Sequence, residues 1–345
     1  MEYQQPLSGE FQSEQNESAF QTVNQYTNNV KIDLENWMGD LPEHLTCVPI
    51  IYIAIPGSHN SFSYSISPNS EVSPDSPPFV QSLGKWCKPI SNRIIFNWSQ
   101  GQQEDVARQL ALGIRYFDVR LVVHKNEIRI SHGLYGGKIL HFLEIINEFL
   151  SSHPKEIVIL DFQHFYQFDQ EHHERMISAL LHIFGGKICR RQRRMRDNTI
   201  SKLRECGNQV IIVYRHLVTR SNDIFWPSGT WATPWPNKVK VNELIDCLNK
   251  GLTTRKDGMG YVSQGILTPT PKYVAMHVFG SLRKLAFQTN KKVVSWLESK
   301  NNGAHGVNVV ICDFVEKNSF CEKVVRLNYK GCDDYQKHFH PESDM

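Results

Sequence analysis

The sequence predicts an α/β fold in which parallel strands alternate with helices, and three observations carry that prediction. Short apolar runs rich in Val and Ile recur along the chain, nearly continuous in hydrophobicity, as strands buried on both faces are. Segments of helical period, bounded by turn residues, separate them. A charged or imidazole side chain arrives at or near the C-terminal end of six runs, the face on which a barrel of parallel strands builds its site. Periodicity alone leaves a doubly wound sheet and a closed barrel both open; the polar strand ends point to the barrel.

Residues 1–31 are rich in Gln, Asn, Ser and Glu and read as a solvated tail, with a single globular unit over 32–335 and a second tail over 336–345. The first apolar run, 50–55, ends in Pro56-Gly57-Ser58-His59-Asn60. Residues 67–78 carry four prolines and read as an excursion loop. A helix over 102–112 stops at Gly113, and the strand 114–122 that follows holds Asp118 and Arg120. The run 128–131 leads to His132-Gly133, and a helix over 139–150 stops before a Ser-Ser-His-Pro breaker. The run 157–162 contains Asp161 and leads to Gln163 and His164. A helix over 172–184 ends at Gly185-Gly186, and the run 210–214 leads to Arg215-His216. The run 261–266, a helix over 281–299 and the run 307–314, with Asp313, complete the series.

Composition bounds the function. Of 345 residues 40% are hydrophobic, with 18 Phe, 12 Tyr and 7 Trp, which supplies a real core and excludes wholesale disorder. Lys+Arg 38 against Asp+Glu 35 leaves +3, not the basic excess of a protein that lives on nucleic acid. The eight Cys show no C-x₂-C spacing. The polar, acidic N-terminus lacks a signal-peptide pattern, and no apolar run is long enough to span a bilayer. The expectation is a cytoplasmic protein with reduced thiols that meets any lipid substrate peripherally, at a membrane surface.

Asp118 and Arg120 lie two apart in a strand and share a face. Taken alone, a buried ion pair bracing the interior is the ordinary explanation. Two imidazoles and a further carboxylate at the same rim shift the balance toward chemistry. His59 follows a Pro-Gly turn that presents it to the rim, and Gly133 allows close ligand approach beside His132. Two imidazoles around a guanidinium suit phosphoryl transfer: one base, one acid, and a cation to neutralise charge on the phosphorus oxygens. A hard metal ion wants several converging carboxylates; with Arg120 central and Gln163 nearby, the site reads as metal-free and no cofactor is implied. Three further features carry ordinary and sharper readings. The basic run 187–196 is a solvated helix face, an attraction to anionic lipid heads, or a nuclear-import or nucleic-acid patch. Trp226, Trp231 and Trp235 either pack a loop, the favoured reading, or rim the mouth. Arg215 contacts a phosphate or caps a strand end.

IPGSHNSFSY, GIRYFDVRL, the Ser-His-Gly at 131–133, KEIVILDFQHF and VVICDF together resemble the X domain of phosphatidylinositol-specific phospholipase C, in its small stand-alone eukaryotic form. The resemblance runs from about residue 37 to 329, with an X-box core at about 44–218. It implies a distorted, incomplete TIM-type barrel and cleavage of inositol phospholipids. Carried over by position, His59 is the base that activates the inositol 2-hydroxyl, and Asp313 orients it. His132 is the acid to the diacylglycerol leaving group with Asp118 assisting, and Arg120 replaces a calcium ion. Asn60, Gln163 and Arg215 fall to substrate binding. Asn60 stands where the bacterial pattern has an Asp supporting the second histidine and matches the choice of the calcium-dependent members; Gln163 stands where these two groups have Lys or Glu, so one headgroup contact is weakened or changed. The alternatives are a glycerophosphodiester phosphodiesterase, disfavoured by Arg120, and an inositide-binding scaffold without turnover.

Overall fold

The protein is described here by a computed structural model covering residues 31–76, 88–220 and 222–330. Apart from Lys31, both expected tails lie outside the described residues, as do Pro77 and Pro78 of the excursion loop. Among the described residues nine strands form: β1 Ile55–Ser58, β2 Tyr116–His124, β3 Glu127–His132, β4 Leu134–Lys138, β5 Val158–Tyr166, β6 Val210–Tyr214, β7 Trp231–Ala232, β8 Gly260–Gln264 and β9 Val309–Cys312. Seven of them pair in parallel in the order β7-β8-β9-β1-β2-β5-β6.

The ring does not close by a ladder. Among the described residues β6 meets the next segment only at the bridge Val213–Trp226, and β7 pairs only with β8. Arg215 spans this seam: its guanidinium donates to the Trp231 carbonyl at 2.8 Å while gripping Asp161 of β5 through two bonds of 2.7 Å. This is the distorted, incomplete barrel that the sequence implies, and the structure finds Arg215 committed to a carboxylate and a carbonyl at the seam.

The continuous hydrophobicity of the runs has its cause in two cores. Tyr116, Ile159, Ile211 and Val309 point into the barrel. Their neighbours Phe117, Leu160, Ile212 and Val310 point outward, where the helices Ile139–Ser152, Gln170–Phe184 and Leu282–Glu298 cover them. One inward position further along β2 and β5 come Asp118 and Asp161, adjacent in register. The interior thus turns from apolar to charged at the C-terminal end of the strands.

Two expectations are corrected. The run 50–55 is not a strand; Ile50–Tyr52 form a 3₁₀ turn in the floor, and β1 runs through the Pro-Gly-Ser that was read as its terminating turn. Gly57 makes this passage fit, since a Cβ there would sit 2.8–2.9 Å from Ile311 and Tyr116. The run before His132 is also not a parallel barrel strand. β2 overshoots the barrel, turns at Lys125-Asn126, both in left-handed conformation, and returns antiparallel as β3. The return brings His132 back down to the rim.

Candidate active site

His59 follows the last residue of β1 and Asp313 the last residue of its neighbour β9, where Ser58 and Cys312 are register partners. Their side chains meet with His59 Nδ1 2.8 Å from Asp313 Oδ1. A carboxylate can only accept, so Nδ1 carries the proton and Nε2 presents its lone pair. Asn60, at φ 44°, turns the chain sharply after His59. Its backbone N–H donates to Asp118 Oδ2 at 3.0 Å, which fastens the turn to β2.

Asp118 is buried and accepts from Arg120 Nη2 at 3.1 Å and Nε at 3.3 Å. Burial works to raise its pKa, but Arg120, the nearby His59 and the hydrogen bonds from Arg120 and the Asn60 N–H outweigh it and hold the carboxyl at about 2. The same Nη2 that donates to Asp118 also faces the site, 3.1 Å from His59 Nε2.

His132 Nδ1 lies 2.5 Å from the carbonyl of Ser99, the last residue of the helix Lys88–Ser99. A carbonyl only accepts, so this imidazole too has its proton on Nδ1 and its Nε2 toward the site. Gly133, at φ +71°, lets Ser99 come this close, since a Cβ there would lie 2.1 Å from Ser99 Oγ. The two rings stand edge to face with centroids 6.3 Å apart. The Asn60 amide lies between them, Nδ2 at 3.2 Å from His59 Nε2 and 3.0 Å from His132 Nε2, and its buried Oδ1 has no partner. Burial, Arg120 and His59 depress the His132 pKa, against an upward pull from Asp75 and the Ser99 carbonyl.

Of the residues singled out in sequence, His59, Asn60, Asp118, Arg120, His132 and Asp313 converge at one place. Gln163 stands to one side, Nε2 3.3 Å from the Tyr116 hydroxyl, which itself donates to Asp161 at 2.6 Å. Arg215 is held away by Asp161. Asp118 lies on the His59 side, Oδ2 3.9 Å from His59 Nε2. The carboxylate bearing on His132 is instead Asp75, which accepts from Ser131 Oγ at 2.7 Å and the Gly133 N–H at 2.9 Å and so brackets the histidine. Sequence reasoning passed over Asp75, Ser99, and the buried Gln102, whose amide donates to the carbonyls of His59 and Cys312 at 2.8 and 2.9 Å. The only sequence signal for Asp75 was its place in the proline-rich excursion.

The three tryptophans divide. Trp226 and Trp231 are buried packing residues, whereas Trp235 is 64% exposed on the loop after β7. The basic run is irregular between 3₁₀ turns at its two ends and forms no α-helix, and it begins beside Val210, the first residue of β6.

A parallel barrel with two imidazoles, a guanidinium and two carboxylates gathered at its strand ends defines the class: a phosphatidylinositol-specific phospholipase C-like α/β barrel. The chain belongs to the PI-PLC X domain-containing protein family. It is 34% identical over 305 residues to PI-PLC X domain-containing protein 3 of Homo sapiens, covering 87% of this chain and 95% of that one. It is 36% identical over 299 residues to protein 2 of Mus musculus, covering 85% and 87%. The sequence profile "Phosphatidylinositol-specific phospholipase C, X domain" matches residues 93–216. Among solved structures, the phosphatidylinositol-specific phospholipase C from Listeria monocytogenes superposes with TM-score 0.58 at 19% identity, covering 86% of this chain and 99% of that one. A Staphylococcus aureus enzyme of the same name, with pentafluoro-Phe incorporated, gives 0.62 at 17%, covering 86% and 98%. No helix among the described residues is long and apolar enough to cross a membrane.

Proposed function

We propose that the protein cleaves phosphatidylinositol-type lipids by internal attack of the inositol 2-hydroxyl on phosphorus, giving a cyclic inositol phosphate and diacylglycerol. The observation that carries the reading is the convergence of His59 Nε2, Arg120 Nη2 and His132 Nε2 around one small space, linked by contacts of 3.0–3.2 Å. In it, His59 takes the 2-hydroxyl proton, with Asp313 holding the ring and stabilising the imidazolium that forms. Arg120 sits where charge builds on the non-bridging oxygens. Protonated His132 delivers its Nε2 proton to the departing glycerol oxygen. Asn60 can serve both protonation states of His132: the amide donates to a neutral Nε2 and, rotated, offers the unpartnered Oδ1 to Nε2–H.

Asp118 is spent on Arg120 and the Asn60 N–H, so the centre is filled by a bound cation of the chain's own, which supports a metal-independent reaction. A lipid substrate is supported by exposed apolar residues on the segments that follow β7 and β8, at the histidine end: Trp235 at 64%, Met276, the last residue of the helix Pro271–Met276, at 64% and Phe279 at 94%. The protein would then work in the cytoplasm, attaching peripherally by this end.

Purified protein is assayed on vesicles containing phosphatidylinositol with a chelator present, reading diacylglycerol and cyclic inositol phosphate. Chelator-resistant turnover that disappears in His59→Ala and His132→Ala supports the proposal; turnover only on adding a divalent ion overturns it. A second reading, inositide binding without turnover, draws on the neutral Asn60 amide occupying the space between the rings. Saturable binding with no product would favour it.

A further inference from the structure

The basic run holds a feature separate from the histidine site. The segment starts at the N-terminal end of β6, where the Cys189 N–H donates to the Val210 carbonyl at 2.8 Å, and Arg196 reaches Asp257, ahead of β8. Both contacts lie at the opposite end of the strands from His59 and the apolar loops. Between this run and the segment that follows β6, a concave site of about 650 Å³ is lined by Arg191, Gln192, Arg193, Arg220, Asn222 and Asp223.

The charges around it are sorted. Arg194 pairs with Asp197 at 2.8 Å, Arg196 with Asp257 at 3.6 Å and Arg190 with Asp223 at 4.0 Å. Those three lie outside the cavity lining. Arg193 and Arg220 pair with no carboxylate among the described residues, and Arg191 spends one Nη1 bond of 3.5 Å on the Thr219 carbonyl. The three guanidiniums without a carboxylate partner are thus the three that line the hollow, against one lining carboxylate that is shared with Arg190. Uncompensated like charges gathered in one concavity repel one another, and an anion seated between them relieves that repulsion.

We propose that this hollow is a second anion site that takes a soluble ligand carrying two or more phosphate groups. Guanidinium forks match phosphate oxygens in pairs, and Gln192 adds an amide. No aromatic side chain among the described residues lines the hollow, so they offer nothing for a nucleic-acid base to stack on. None of the lining residues belongs to the segments after β7 and β8 that carry Trp235, Met276 and Phe279, so a bilayer seated on those residues leaves the hollow to a ligand from solution.

The full chain is titrated calorimetrically with inorganic tripolyphosphate at several salt concentrations. Wild type binds in a salt-sensitive manner, and Arg191→Gln/Arg193→Gln/Arg220→Gln loses about tenfold or more in affinity. A control of equal charge change, Arg190→Gln/Arg194→Gln/Arg196→Gln, loses far less. No binding by wild type, or equal loss in the two triple variants, overturns the proposal. Sedimentation with phosphatidylcholine vesicles containing phosphatidylserine checks the source. Vesicle binding is expected to survive in the cavity variant; its loss there but not in the control would make the hollow a membrane contact and overturn the soluble assignment.

Discussion

His59 and Asp313 stand at the ends of adjacent parallel strands with Nδ1 and Oδ1 2.8 Å apart, so one register fixes both position and tautomer. Asp313→Asn keeps the size but can present an N–H to the ring, which favours the wrong tautomer. The expected result is a fall in kcat on phosphatidylinositol of about 10²–10⁴-fold with little change in KM. An unchanged kcat would reduce the pair to a structural contact.

Gly101 tests the same pair from behind. A Cβ at this position would lie 2.7 Å from Asp313 Oδ1. Gly101→Ala should displace the carboxylate and lower kcat while the thermal transition moves little. A variant with wild-type kcat would show that the carboxylate has room to spare.

Arg120 and Asp75 act on His132 with opposite sign. Arg120→Gln should therefore raise the His132 pKa, and Asp75→Asn should lower it further below its ordinary value. An NMR titration of the imidazole reads both shifts whether or not lipid is cleaved. If His132 acts as the acid, Asp75→Asn also moves the alkaline fall of kcat/KM to lower pH. Two shifts of the same sign would remove Asp75 from the account.

Stability should decline with acid in two stages. Burial and the stacked His216 ring hold buried His173 at about 4, and His132 and His164 are also depressed, in each case mainly by burial. A histidine kept neutral in the fold contributes stability that is full above its unfolded pKa, near 6.5, and is lost as pH falls toward the folded value. Asp118, held at about 2, contributes on the order of 2 kcal/mol above its unfolded pKa near 3.9, lost as pH falls from there toward 2. The melting temperature should begin to drop below about pH 6.5. His173→Phe should flatten that first stage, and an unaltered slope would exclude His173 as its source.

Much of the site was legible because two local rules report it: period-2 alternation puts Asp118 and Arg120 on one face, and a polar residue just past an apolar run lands on the rim. That logic found Asp313, and it found His59 although the strand before that residue is the Pro-Gly-Ser of β1 and not the run 50–55. It found His132 for an incomplete reason, since this residue arrives on an antiparallel return strand whose direction no apolar run encodes. Ser99 and Asp75 were beyond reach because their contributions, a carbonyl and a bracketing carboxylate, depend on chain segments brought together from distant positions. Arg215 was open in sequence because its partner Asp161 lies on a strand 54 residues away. The helical reading of 187–196 failed because the middle of the segment bonds to β6 and to Asp223, which leaves only short 3₁₀ turns, Gly185–Lys187 and Met195–Asp197, at its ends.

The open seam between β6 and β7 rests on few ties, the Val213–Trp226 bridge and the Arg215 side chain. Elsewhere around the circumference, loss of one hydrogen bond is shared by its neighbours in a ladder. At the seam, Arg215 is the keystone, and it is bolted to Asp161, the register neighbour of Asp118. Strain that spreads the wall there is transmitted through two adjoining carboxylates to the seat of Arg120, so the soundness of the ring and the aim of the central cation fail together.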